Sequence, residues 1–210
     1  MSTTSGTAKG ERTRARIVAT AAPLFNQRGY VGASMADLMA ATGLEKGGIY
    51  RHFESKDALA LAAFDYAAEK HRERLFSYID AHTSAVARLA ALGEAIASIV
   101  ERPAVKGGCP LLNTAVESDD AKGPSYAELR ERARAGMKRL VGYARQIIEQ
   151  GIESGEMQAT LDPALEAEMM IATMEGALMM SKLFDEPRYV LQAAAQIAQH
   201  ASRMACAPAI

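Results

Sequence analysis

Eight residues, Lys46-Gly47-Gly48-Ile49-Tyr50-Arg51-His52-Phe53, concentrate the chain's most chemically suggestive pattern. Only Ile49 and Phe53 are large and apolar; four positions apart, they anchor one face of a helix. Lys46, Tyr50, Arg51 and His52 occupy the remaining face, where ammonium, phenol, guanidinium and imidazole can donate hydrogen bonds to phosphate oxygens or base edges. Two adjacent glycines in a helix cost roughly 1 kcal/mol each relative to alanine. Close approach of the backbone to another molecule is the usual compensation. Taken alone, the stretch also reads as a loop with solvated charges.

Chemistry of other kinds finds little support. The four histidines, His52, His71, His82 and His200, have no ligand partner at helical spacing, and Cys109 and Cys206 have neither zinc spacing nor a disulfide framework. No glycine-rich phosphate loop follows a strand, and the carboxylates spread over helix faces. No catalysis, metal or cofactor is expected. Cys109, in Gly107-Gly108-Cys109-Pro110, stands at the start of a short helix, where the helix dipole lowers a thiol pKa. An unreactive small residue at a tight turn is the plainer reading.

The elements around Lys46–Phe53 decide its meaning. Ser34 with Asp37 three residues on reads as a helix start, and Thr42-Gly43 as its stop. Leu44 crosses a tight turn, a second short helix runs to Phe53, and Ser55 opens a third. Two helices joined by a short glycine-bearing turn form a helix-turn-helix, whose second helix enters the DNA major groove. Before it, Glu11 to Arg28 reads as a helix with Ile17, Ala21, Leu24 and Phe25 on one stripe, ended by Gly29. Met35, Leu38, Met39 and Leu44 should pack on that stripe. Arg12, Arg14 and Arg16 crowd the helix start, against the dipole preference, which a neighbouring polyanion would reverse. Residues 1–10 are small and polar and are expected to be disordered.

Charge divides the chain the same way. Its 210 residues carry a net charge of −1. Residues 1–56 hold eight Lys/Arg against four Asp/Glu, a net of +4, which leaves −5 on the rest. The basic end is the end a phosphate-binding module needs. Aromatic residues make up 6% and Trp is absent, while Ala, Leu and Met abound, which favours helices over strands. No apolar run is long enough to span a bilayer, and the N-terminus lacks a signal-peptide core, so a soluble, cytoplasmic protein is expected.

At Gly29-Tyr30, Ser34-Met35-Ala36-Asp37-Leu38, Thr42-Gly43-Leu44, Lys46-Gly47, Ile49 to Phe53, Ser55-Lys56 and Leu59 the chain resembles the TetR family of bacterial transcriptional repressors. Turn, glycine, aromatic and cap positions fall in register over residues 11–62; beyond, the likeness is one of size and helical layout. The resemblance implies an all-α protein of about nine helices, with a DNA-binding head, 1–55, on a ligand-binding and dimerisation body, 56–210. It implies phosphate contacts from Ser34, Tyr50, His52 and Lys56, with Thr42 a weaker candidate, and base-edge contacts around Lys46, Gly47 and Gly48. Arg51 stands where the family often has an aromatic residue; it reaches a phosphate or reads a guanine.

In the body, Ser55 should cap a helix to Ile79, followed by helices over 85–101 and 111–117 and a polar loop over 119–124. Ser125 to Glu128 reads as a capping box before a long helix stopped by Gly155, and Asp162-Pro163 as a cap and first helical residue. The helix 163–184 has two apolar seams, Leu165, Met169, Ala172, Gly176, Met179, Leu183 and Met170, Met174, Ala177, Leu178. A helix apolar on two faces must be covered on two sides. Helices 163–184 and 187–204 are therefore expected to cover each other and to pair with a second copy, giving a homodimer. One chain burying both seams internally is the competing arrangement.

The resemblance also places a small-molecule inducer in the body, where binding changes the spacing of two heads and releases operator DNA. Candidate linings are Ile96; Cys109, Leu112 and Asn113; Met137, Leu140, Tyr143 and Ile147; and Met170, Met174, Glu175 and Leu178. Methionine suits an adaptable apolar cavity, although such stripes also read as plain core, and Glu175 as a structural carboxylate. Two alternatives stand beside the inducer reading. Some similar repressors use a cysteine placed like Cys109 to sense electrophiles or oxidants, and a helical ligand-binding protein could carry a vestigial head.

Overall fold

The computed structural model describes residues 4–117 and 124–206, and these form nine helices with no strand among the described residues. The chain divides into two compact units. One takes residues 1–70 and 105–134, the other 71–104 and 135–210.

The first unit opens with α1 (Thr4–Gly32). Residues 4–10 are already helical, against the expectation of disorder; nothing in Thr4-Ser5-Gly6-Thr7-Ala8 breaks a helix once it is propagated from Lys9 onward. Gly29 interrupts α1 at φ 74°, ψ 171°, a conformation close to glycine-only, so the stop expected there is present as a kink followed by one more turn. Then α2 (Met35–Thr42) carries the full capping box: the Ser34 side chain accepts from Asp37 N–H at 3.1 Å, and Asp37 accepts from Ser34 N–H at 3.0 Å. Gly43 closes α2 in the left-handed conformation.

The second hairpin helix, α3 (Lys46–Tyr50), is shorter than the span to Phe53 read from the sequence. Arg51 and His52 complete a turn, and α4 (Lys56–Ile79) follows with Ser55 Oγ accepting from Ala58 N–H at 3.0 Å. Ile17, Val18, Ala21, Leu38, Ile49, Phe53 and Leu59 form one buried core, with Leu24, Phe25, Met35, Met39 and Leu44 packed on it. The expected stripe-on-hairpin packing is there. Also in this unit are α6 (Pro110–Glu117) and the start of α7 (Pro124–Glu153). Because α7 begins at Pro124, Ser125 lies within its first turn, and its hydroxyl donates to Asp57 instead of forming the expected cap. Of the polar loop expected over 119–124, residues 119–123 lie outside the described residues.

The second unit is built on α5 (Ala85–Glu101), α8 (Pro163–Phe184) and α9 (Arg188–Met204), with the later turns of α7. Ser84 caps α5, and Glu156 accepts from the first-turn N–H groups of Ala85 and Val86 at 2.7 and 3.0 Å. Asp162 accepts from Ala164 and Leu165 N–H at the head of α8, as its position before Pro163 implies. The two seams of α8 part company here. Met170, Met174, Ala177 and Leu178 are buried, whereas Leu165, Met169, Met179 and Leu183 remain 51–72% exposed. Val190, Ala194, Ile197, Ala201 and Met204 of α9 are buried, and small side chains let it lie close to α5: Ala194 Cα is 3.5 Å from where a Cβ on Gly93 would be.

Candidate nucleic-acid interface

The short helix α3 and the turn after it are held by one apolar side chain each. Ile49 is 1% and Phe53 3% exposed, both inside the hairpin core. With that face fixed, Lys46, Gly47, Tyr50 and Arg51 are on the outside. A Cβ on Gly47 would meet nothing within 4 Å, so the unit's own packing does not demand glycine there; the flat spot is on the outer surface. Gly48 is different, since a Cβ there would touch Leu44 at 3.4 Å. Lys46 Nζ lies 5.8 Å from the Tyr50 ring centroid, and Arg51 Nε donates to Gly47 O at a long 3.4 Å. Neither contact consumes the donors of these side chains, so ammonium and guanidinium remain available to an incoming anion.

The flanking candidates sit differently. Ser34 is exposed, but its hydroxyl donates to Asp37 at 2.6 Å within the capping box. That bond, with the Ser34 backbone N–H and the Arg28 guanidinium at 2.6 Å, lowers the Asp37 carboxyl to about 2. Thr42 Oγ1 donates to Leu38 O at 2.7 Å, back along its own helix. His52 is half-buried on the turn after α3.

Lys56 is committed inward: Nζ donates to Tyr30 O at 2.7 Å and lies 4.7 Å above the Tyr30 ring. Burial pushes its pKa down, and Asp57 and Glu117 pull it back only in part. Arg14, absent from the sequence-derived set, stacks over the buried Phe53 ring at 4.6 Å and is exposed beside α3. The run Arg12, Arg14, Arg16 was its signal, although α1 begins at Thr4, so these arginines lie inside the helix and not at its start, and nothing local ties Arg14 to Phe53.

Behind this surface lies a polar junction that the sequence did not disclose. Glu117, the last residue of α6, accepts from Tyr30 N–H at 2.9 Å and Val31 N–H at 3.0 Å, capping the turn that follows the Gly29 kink. Tyr30 OH donates to Asp57, as does Ser125. Burial, then the Asp57 bond, pushes the Tyr30 phenol up, while Ser125 and then Tyr30 draw the Asp57 carboxyl down. Asn113 Nδ2 donates to Asn26 and to Gly107 O, and Asn26 Nδ2 to the carbonyls of Lys106 and Gly108.

The ligand candidates fall into both units. A cavity of about 50 Å³ in the first unit has Asn113 in its wall, beside Phe25, Tyr30, Phe64, Glu117 and Tyr126. Cys109 and Leu112 belong to the same unit but are not in that wall. Ile96, Ile147, Met170, Met174, Glu175 and Leu178 are buried in the second unit, where Met137, Leu140 and Tyr143 are half-buried. Cys109 is only 6% exposed. A thiol sensor needs an accessible thiolate, and this burial disfavours the cysteine alternative.

Comparison with known proteins matches this arrangement. Residues 17–63 match the family described as "Bacterial regulatory proteins, tetR family", and residues 85–197 match "Tetracyclin repressor-like, C-terminal domain". The chain is similar to the HTH-type transcriptional repressor DhaR of Mycobacterium sp. (strain GP1), 29% identical over 81% of this chain and 82% of that protein. A TetR transcriptional regulator from Chloroflexus aurantiacus superposes with TM-score 0.88 at 46% identity, covering 94% of this chain and 98% of that one. One from Cytophaga hutchinsonii gives 0.85 at 31%, covering 95% and 98%. Proteins of this kind bind DNA and are not enzymes. With its helix-turn-helix and its helical body both matched, the chain belongs to the TetR family and is a DNA-binding transcriptional regulator.

Proposed function

We propose that the protein is a homodimeric repressor that holds a two-fold-symmetric operator through α2 and α3 of each copy and leaves it when a small molecule binds. The observation that carries this reading is the division of α3, with Ile49 and Phe53 buried and Lys46, Tyr50 and Arg51 outward around an open Gly47. Lys46 and Gly47 approach base edges, Gly48 supports their helix, and Tyr50, Arg51 and His52 hold phosphates, with Ser34 and Thr42 at the margin. Lys56 contributes charge from behind, through a nitrogen engaged with Tyr30. The dimer forms through the exposed seam of α8 together with α9, in keeping with the relatives' family. An operator-bound regulator works where the DNA is, which places it in the cytoplasm.

Footprinting on the DNA flanking its own coding region tests the reading. A protected palindrome with half-sites about one helical turn apart is expected. Arg51→Ala and Tyr50→Ala should each raise the dissociation constant for that site at least tenfold. Protection unchanged in both variants rejects the assigned face.

A further inference from the structure

The cavity in the first unit has a construction of its own. Ala22 of α1 and Ala60, Ala63 and Ala67 of α4 leave room where larger residues would close the gap. The wall also holds the rings of Phe25, Tyr30, Phe64 and Tyr126, with Tyr30 and Tyr126 edge to face at 4.8 Å between centroids. Three polar groups in the wall have their donors spent within the protein: Tyr30 OH on Asp57, Asn26 Nδ2 on the Lys106 and Gly108 carbonyls, and Asn113 Nδ2 on Asn26 and Gly107; the hydroxyls of Thr114 and Tyr126 complete its polar set. Glu117 differs, because a carboxylate offers about four acceptor positions, and its bonds from Tyr30 and Val31 N–H use two. The wall thus combines an apolar, aromatic body with one carboxylate able to accept further.

Size narrows the occupant. A buried water needs roughly 10–15 Å³ measured this way, so about 50 Å³ accommodates about three or four non-hydrogen atoms. We infer that this cavity is a binding site for a compact organic molecule of that size, a short-chain alcohol or amine, whose O–H or N–H donates to Glu117. An anion of the same size is disfavoured, since the Glu117 carboxylate in the wall and the Asp57 carboxylate bonded to Tyr30 would both repel it. A ligand of four heavy atoms binds no tighter than roughly 40 μM.

Occupancy has a path to the DNA-binding helices within the same unit. Glu117 caps the turn at Tyr30-Val31-Gly32; Ala33 N–H returns to Gly29 O at 3.1 Å; Ser34 then caps α2. A donor that draws on the Glu117 carboxylate weakens its hold on that turn, and with it the entry into α2. This regulatory half rests on the operator-binding reading above. The binding half does not.

Full-length protein labelled at alanine methyl groups is titrated with 1-propanol, propylammonium and propionate at matched ionic strength. Saturable shifts of the Ala22, Ala60, Ala63 and Ala67 methyls are expected for the first or second probe, with dissociation constants between roughly 40 μM and a few millimolar. Which of the two binds separates alcohol from ammonium. Ala63→Leu, which fills the cavity, should abolish the saturation while helical circular dichroism is retained; Ala67→Val serves if that variant does not fold. At saturation the probe should weaken operator binding at least threefold in the wild type and not in the filled variant. Absence of saturable shifts, unaltered shifts in a folded filled variant, or propionate binding as tightly as propanol overturns the inference. The titration needs no DNA, so a missing operator defeats the proposed function and leaves this site's own test intact.

Discussion

Two lysines of the head, Lys46 and Lys56, look equivalent in sequence and are physically different. Lys46 is exposed on α3 with its ammonium near the Tyr50 ring, whereas Lys56 is half-buried with Nζ bonded to Tyr30 O. Removing a side chain that reads a base edge costs about 1–3 kcal/mol of discrimination at that position. Lys46→Ala should therefore relax operator specificity without changing the melting temperature, while Lys56→Ala should lower the melting temperature by several degrees. Binding to operator variants and thermal unfolding, run on both proteins, check the split. Asp37 gives a second residue-scale test. Its folded-state carboxyl, at about 2, lies below the ordinary value of 3.8, so its contribution to stability is present above the ordinary value and is lost as pH falls toward 2. Asp37→Asn should melt below the wild type at pH 6, and the gap should narrow below pH 4 and close only at about pH 2 and below.

Among elements, the end of α1 is the place where a single atom decides the outcome. Gly29 has φ 74° and ψ 171°, and a Cβ there would sit 2.7 Å from the Glu117 carboxylate. Gly29→Ala faces both backbone strain of about 1–3 kcal/mol and the displacement of a capping group. For a chain of this size that corresponds to a fall of roughly 2–10 °C in melting temperature. Unfolding that matches the wild type would show that the kink relaxes freely. The kink also shows what a sequence yields and what it withholds. Apolar periodicity and cap residues placed α4, α5 and α8 at their observed bounds, and the Ser34–Asp37 box is the one its spacing implied. Such signals act within a few residues, so they are written locally. The partners of Tyr30, Asn26 and Asp57 lie at Glu117, Asn113 and Ser125, far along the chain, and no periodicity announces them. Ser125 shows the cost of reading locally: its spacing to Glu128 suggests a cap, yet the helix starts one residue earlier and the hydroxyl turns to Asp57. Across α3 and the turn after it the buried pair Ile49 and Phe53 was legible because it keeps helical spacing, while the inward turn of Lys56 depends on a carbonyl that lies 26 residues away.

At the scale of the whole molecule, the unpaired seam of α8 is the feature that one chain does not satisfy. Leu165, Met169, Met179 and Leu183 are 54%, 57%, 51% and 72% exposed, on a helix whose other seam is buried to within a few per cent. Complete burial of such a side chain contributes about 1.5–3 kcal/mol, so covering the exposed half of each yields roughly 1 kcal/mol per residue in each copy. In the proposed dimer a two-fold axis along the seam would double every such contact, because each pairing of one residue with another recurs with the two copies exchanged. The competing arrangement, in which a single chain buries both seams, is inconsistent with these exposures. Introducing charge is the decisive perturbation: Met169→Glu with Leu183→Glu puts four carboxylates into the paired interface and none into the interior of a monomer. Light scattering should show a dimer for the wild type at micromolar concentration and a monomer for the double variant, with helical content retained. Operator affinity should fall by a hundredfold or more, since two heads on one dimer bind with an effective local concentration that separate heads lack. A double variant that stays dimeric would place the interface on another face of the body, and one that is monomeric yet binds the full palindrome as before would show that the two heads act independently.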